Sequence, residues 1–269
     1  MKRGMYFICG VALIASLLLA ASHSDAQYAD PNFTPQTGQG GKDVVWVPTP
    51  QELVNTMLIM AKVTPADYVV DLGSGDGRLV ISAAKLGATA LGIEYNQDMV
   101  ALARRTAAEE GVSAKATFER ADIFEYDFSK ATVVTLFLLE DLNLRLRPTI
   151  LDMKPGTRVV SNSFTMDNWI PDQTANILDL GDWTIAHLWI VPAKVGGTWK
   201  LDDGQLTLTQ KFQYITGTLT KGKETFKLTG KLNGDKISFD AGGSKFTGTV
   251  SGNTMSGSRA GGDDWKATR

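Results

Sequence analysis

The chain has 269 residues, 43% of them hydrophobic and 21% charged, which is enough apolar material for one or two cored domains and too much for a disordered chain. Its 27 basic and 29 acidic residues leave a formal charge of -2, so there is no general footprint for a polyanion and no nucleic-acid partner is expected. The single cysteine, Cys9, lies in an N-terminal apolar run, which excludes disulfides, cysteine-held metals and thiol nucleophiles from the folded part; no metal site is expected.

Lys2 and Arg3 precede an uncharged stretch from Met5 to Ala21, and Ser24-Asp25-Ala26 puts small residues at a plausible cleavage site before Gln27. Residues 1–26 therefore have the layout of a secretory signal peptide, predicting an exported, periplasmic or secreted protein. Left uncleaved, the same run would be an anchor, the one route by which a membrane enters this reading. Residues 27–43 are rich in Gly, Pro, Gln and Asn and read as a flexible linker.

Structure is expected from Val44. Thr49-Pro50-Gln51-Glu52 has the form of a capping box with proline at the first helical position, followed by a helix with Leu53, Met57 and Met60 on one face. Strands are predicted at Tyr68 to Leu72, Ala90 to Glu94, Ala116 to Ala121, Thr132 to Leu138 and Thr157 to Ser163. Helices are predicted at Arg78 to Leu86, Gln97 to Glu110 and Asp141 to Met153, the last with a kink or break at Pro148. Ile177 to Leu180 and Trp183 to Val191 would supply a final pair of strands. Apolar runs alternating with helical periodicity indicate an α/β fold, a parallel sheet covered on both faces, over residues 44–194.

From residue 195 the composition changes: 14 of the 74 residues from Gly196 onward are glycine. Thr216-Gly217-Thr218-Leu219, Thr229-Gly230-Lys231-Leu232 and Thr247-Gly248-Thr249-Val250 are related pieces, and Asn233-Gly234 is a two-residue hairpin signal. Residues 195–269 read as a second domain, an antiparallel meander of about seven or eight short strands curled into a small barrel, with Trp199 and Trp265 pairing where it closes. Residues 27–195 hold 14 basic and 21 acidic residues, whereas 196–269 hold 11 and 7.

Chemistry concentrates at one turn. Val69-Val70-Asp71-Leu72-Gly73-Ser74-Gly75-Asp76-Gly77-Arg78 is a strand running into a glycine-rich turn and a helix, the place where open α/β sheets bind small molecules. A dinucleotide fingerprint would need glycine where Arg78 stands, and it would not put Asp71 and Asp76 beside a pyrophosphate. Acids suit a cationic ligand instead. Asp71 can pair with an amino-acid ammonium, Glu94 can accept both hydroxyls of a ribose, and Asp122, next to Ile123, can accept from the amine of adenine. Ammonium, ribose and adenine together describe S-adenosylmethionine.

These residues resemble the cofactor motifs of class I, seven-stranded S-adenosylmethionine-dependent methyltransferases. With Val47-Pro48-Thr49-Pro50 and Lys154-Pro155-Gly156-Thr157-Arg158-Val159-Val160-Ser161, the chain is similar to the FAM173-like group, whose characterised members are protein lysine methyltransferases. The resemblance implies a Rossmann-like sheet of order 3-2-1-4-5-7-6. It also implies cofactor contacts from Asp71, Gly73, Ser74, Gly75, Asp76, Gly77, Glu94, Asp122 and Ile123, and a protein or small-amine acceptor. Methyl transfer is an in-line displacement that needs alignment and desolvation more than an acid–base pair. Glu140, Phe164 and Trp169 are the candidate acceptor-pocket residues, and His187 reads as a packed strand histidine. The alternative is an exported, non-catalytic protein that keeps the fold to hold a small ligand.

Overall fold

The computed structural model describes residues 29–177 and 183–269, so the expected leader and most of the expected strand at Ile177 to Leu180 lie outside the described residues. The α/β part runs α1 (Gln51–Met60), β1 (Tyr68–Leu72), α2 (Arg78–Lys85), β2 (Thr89–Glu94), α3 (Gln97–Glu109), β3 (Ala116–Arg120), β4 (Val133–Leu136), α4 (Glu140–Leu151), β5 (Arg158–Asn162), β6 (Gln173–Asn176) and β7 (Ile185–Ile190). Its sheet has the order β3-β2-β1-β4-β5-β7-β6. The first five strands are parallel; β7 runs antiparallel to both β5 and β6.

Parallel strands with apolar residues on both sides need cover on both faces. Val69 and Val133 meet α1, α2 and α3 in one core, while Val70, Leu72, Val134 and Leu136 meet α4, Trp169 and Trp189 in the other. Asp67 seals the sheet's lower edge: it accepts from Thr132 Oγ1 at 2.8 Å and Thr64 N at 2.8 Å, and it pairs with Arg158. Although Asp67 is buried, those donors hold its carboxyl below the usual range, and Arg158 is the strongest of them.

Two local expectations give way to tertiary demands. Pro50, not Thr49, stands at the N-cap of α1 and no side chain caps it. The Thr49 hydroxyl instead accepts from Asn162 Nδ2 at 3.3 Å, and its carbonyl accepts from Arg78 Nη1 at 2.8 Å. Pro148 stays inside α4, which runs unbroken from Glu140 to Leu151 with Leu142, Leu146 and Ile150 held in the core.

The remaining strands are β8 (Gly197–Leu201), β9 (Gly204–Lys211), β10 (Tyr214–Lys221), β11 (Glu224–Asn233), β12 (Lys236–Ala241), β13 (Ser244–Ser251), β14 (Thr254–Arg259) and β15 (Asp264–Thr268). They form a closed antiparallel barrel of these eight strands. Alternation fills its interior with Leu206, Leu219, Leu228, Phe239, Phe246 and Met255 and leaves threonines and lysines outside. Closure comes from β15 pairing with β8, Ala267 opposite Leu201. The two tryptophans do not meet there as expected: Trp265 sits edge-on to Phe239 at 5.5 Å, and Trp199 lies under Arg269 at 4.4 Å. The β11–β12 turn is Gly234-Asp235 rather than Asn233-Gly234, because Asn233 still pairs with Lys236 and Gly234 takes the left-handed position (φ 60°).

Candidate functional site

At the carboxyl ends of β1, β2 and β4 the sheet opens into a crevice lined by the turn after β1, by Glu94 to Asn96, by Ala121 to Ile123 and by Leu136 to Leu138. Asp71, Gly73, Ser74, Gly75, Asp76, Glu94, Asp122 and Ile123 all line it. Gly77 does not. It caps α2 with a left-handed φ of 82° and faces the core, where an added Cβ would stand 2.7 Å from Ala103 Cβ and from the Phe118 ring.

The three acids sit in different surroundings. Asp71 is buried, with its Oδ1 accepting from Thr135 Oγ1 at 2.7 Å. Burial pushes its carboxyl up to about 7; the Thr135 bond opposes this, and the charges of Glu94 and Asp76 add to it. Glu94 Oε2 accepts from Gly75 N at 2.9 Å and Oε1 from Asn96 N at 2.8 Å, so it holds the glycine turn while each oxygen keeps a second lone pair. Asp122 Oδ1 accepts from Phe124 N at 2.9 Å and Oδ2 from Lys42, and that ammonium is the main reason its carboxyl lies below the usual range. Asp76 is committed elsewhere: it chelates the Arg78 guanidinium, Nε at 3.0 Å, which ties the turn to the start of α1.

The segment expected to be a free tether supplies part of the site. Trp46 N donates to Gln39 O at 2.9 Å, Gly38 N to Trp46 O at 2.8 Å and Gly41 N to Val44 O at 2.9 Å, a small hairpin closed by the Gly40–Val45 bridge. It lies over the crevice. A Cβ on Gly75 would meet Trp46 Nε1 at 2.5 Å, and Lys42 reaches Asp122 while standing 5.0 Å over the Tyr95 ring. Low apolar content in residues 29–43 hid this from the sequence, because that arm is held by main-chain bonds and one distant ion pair, while the hairpin's apolar packing comes from Val44 and Trp46 on its other arm.

None of the three residues proposed for the acceptor side lines the crevice itself. Phe164 comes close: its ring lies 6.3 Å from Phe137, which does line it, and 5.3 Å from Trp183. Phe137 and Trp183 are 5.9 Å apart, so the three rings form one apolar wall, with Trp183 exposed. Sequence reading missed Phe137 and Trp183. Glu140 stands exposed at the head of α4 and accepts from Thr165 Oγ1 at 2.5 Å. Trp169 is misplaced by the sequence reading: it is fully buried, 6.1 Å from Trp189 and stacked on Phe212 of the barrel at 5.7 Å. Its aromatic bulk serves the seam between the domains. His187 packs on β7 as expected, with Nδ1 3.0 Å from Thr174 Oγ1 and its basicity lowered chiefly by burial. No cluster of potential metal ligands occurs among the described residues.

A sheet of this order, with a glycine turn and carboxylates at successive strand ends, defines a class I S-adenosylmethionine-dependent methyltransferase. The donor set fits that cofactor: Asp71 for its ammonium, Glu94 for its ribose, Asp122 for its adenine amine, and a buried Ser74 hydroxyl without a partner at the turn. The ANTKMT methyltransferase domain profile matches residues 71–173. A protein-lysine N-methyltransferase of Saccharolobus islandicus is 42% identical over 139 residues, 51% of this chain and 86% of that protein. The adenine nucleotide translocase lysine N-methyltransferase of Mus musculus is 36% identical over 105 residues, 38% of this chain and only 46% of that protein. A solved RNA methyltransferase from Salinibacter ruber, in complex with S-adenosyl-L-homocysteine, superposes with a TM-score of 0.53 at 44% identity, covering 55% of this chain and 96% of that one.

The chain belongs to this family, the FAM173-like, ANTKMT-type methyltransferases. It is an enzyme, and S-adenosylmethionine is its cofactor.

Proposed function

We propose that the enzyme methylates the side-chain amine of a protein lysine. The wall of Phe137, Phe164 and Trp183 beside the crevice carries this reading, because such a surface admits an alkyl amine and sheds its water. The Saccharolobus islandicus and Mus musculus relatives, both lysine N-methyltransferases, support it. The Salinibacter ruber relative is described as acting on RNA. Against that acceptor here, residues 27–195 carry 14 basic and 21 acidic residues, a poor surface for a polyphosphate.

When bound, S-adenosylmethionine supplies a methyl group on a positively charged sulfur. Asp71 anchors the amino-acid end by charge, Glu94 receives the ribose hydroxyls while fixing Gly75, and Asp122 receives the adenine amine next to Ile123. Gly73, Ser74 and Gly75 let the main chain approach. The ring wall then orients the acceptor and excludes water, and desolvation lowers the ammonium's affinity for its proton, so the neutral nucleophile is available. Glu140 is the acid among the proposed acceptor residues, and it accepts from Thr165, the chain neighbour of Phe164.

A transfer assay with methyl-labelled cofactor on protein and RNA fractions tests the acceptor. Label should enter protein, survive ribonuclease, and map to lysine by mass spectrometry. Ribonuclease-sensitive label would overturn the reading.

We further propose that residues 1–26 direct export, on the strength of the Lys2-Arg3 start, the apolar run and the Ser24–Ala26 site. The mature protein should then begin at Gln27 in an envelope fraction. A chain starting at Met1 in the cytosol would defeat this.

A further inference from the structure

Four of the barrel's six two-residue turns follow one rule; the β8–β9 turn, Asp202-Asp203, and the β9–β10 turn depart from it, and only the second does so with a bulky residue in the left-handed region. In the loops joining β10 to β11, β11 to β12, β12 to β13 and β13 to β14, the first residue is Gly222, Gly234, Gly242 or Gly252, each left-handed at φ 56–60°. The loop joining β9 to β10 has the same two-residue register, Lys211 opposite Tyr214, yet its first residue is Phe212, at φ 52°. A bulky side chain is rarely found in that region and is strained there. The second residue, Gln213, is fully buried although turn tips normally face water.

The strain has an identifiable return. Phe212 leaves its own barrel, stacks on Trp169 at 5.7 Å with only 14° between the rings, and lies under the Arg147 guanidinium at 5.5 Å. Gln213 Nε2 donates to Ile170 O at 2.7 Å. On the same chain segment, Arg147 Nη1 donates to Met166 O at 2.8 Å, and Asn143 Nδ2 donates to the carbonyls of Phe164 and Thr165 at 3.2 Å each. Residues 164–170 are thus gripped by α4 from one side and by the barrel turn from the other, and this segment carries Phe164 into the aromatic wall.

We infer that the Phe212-Gln213 turn is a positioning element for the acceptor side of the crevice: the barrel braces the 164–170 segment and thereby sets the place of Phe164. This rests on the reading of the ring wall as the acceptor side. It assigns the barrel a part in the reaction without any contact with cofactor.

Phe212→Ala tests it, with Phe212→Tyr as the conservative control. Amide exchange of residues 164–170 in Phe212→Ala should quicken by about tenfold or more while the sheet strands β1 and β4 keep their protection. Affinity for S-adenosylmethionine should stay within about twofold, and kcat/KM for the protein acceptor should fall by about tenfold, chiefly through KM. Phe212→Tyr should restore both. Unchanged exchange at 164–170 overturns the brace, as does a loss of cofactor affinity parallel to the loss of transfer, or a Phe212→Tyr variant no better than alanine. If the wild-type enzyme modifies no protein at all, the acceptor reading has failed, and the exchange measurement still judges the brace by itself.

Discussion

Asparagine in place of Asp71 should weaken S-adenosylmethionine binding by about a hundredfold or more, the loss expected when a buried charged partner is removed. The same change should make the cofactor-free protein more resistant to unfolding at pH 8. Asp71 is only 6% exposed, and its Oδ1 accepts from Thr135, a bond that an amide oxygen can keep. Burial, the first cause, raises its carboxyl from 3.8 to about 7. In the unfolded chain the group ionises near 3.8; in the folded protein it resists until about 7. Its contribution is therefore complete at low pH and is lost as pH rises through that window, by about 4 kcal/mol in all. Asparagine has no such loss, so the gap in Tm between variant and wild type should widen from pH 4 to pH 7 and then level off. A cationic ligand favours the carboxylate, so wild-type affinity should climb with pH toward 7 and take-up should release a proton; the variant should do neither. Calorimetric titration in buffers of different ionisation enthalpy reads both. Parallel pH profiles for the two proteins would remove Asp71 from the binding site.

The parts of this molecule that could be read in advance are those whose cause is local. Val69 to Leu72 is an apolar run that carries Asp71 and leads into glycines, Glu94 ends the apolar run Ala90 to Ile93, and Asp122 follows the third strand; position along the chain alone puts them at one edge of a parallel sheet. The barrel was legible for the same reason, through glycines at turn positions and alternation in between. What failed depended on a distant partner. Thr49 had a capping sequence, yet its hydroxyl answers Asn162 from 113 residues away. Lys42 lay in a segment with the composition of a linker, yet Asp122, 80 residues on, helps hold that segment over the crevice. Trp169 and Phe164 look alike as aromatic residues after a strand; only the docking of Phe212 decides that one belongs to the domain seam and the other to the ring wall. Aromatic residues are interchangeable in a pattern and not in a packed structure.

Gly77 separates two explanations that the sequence merges, cofactor approach and core packing. Alanine there should cost about 3 kcal/mol of stability, from a left-handed backbone at φ 82° and from a methyl 2.7 Å from both Ala103 and the Phe118 ring. Phe118, on β3, is buried in the core it shares with α2 and α3 and cannot swing away as a surface side chain would. Shrinking it should help: Phe118→Leu in the Gly77→Ala background should recover part of the loss, leaving the backbone strain, and the two changes should couple favourably in a double-mutant cycle by about 1 kcal/mol or more. Because Gly77 caps α2, with Gly77 N donating to Ser74 O and Ile81 N donating back to Gly77 O, each at 2.9 Å, a shift there would move the turn. Cofactor affinity should thus fall in step with stability and recover with the second change. Urea denaturation of the four proteins, with cofactor titration of each, makes the comparison. A Gly77→Ala protein of wild-type stability that no longer binds cofactor would make Gly77 a binding glycine after all, and would show the Phe118 contact to be of no consequence.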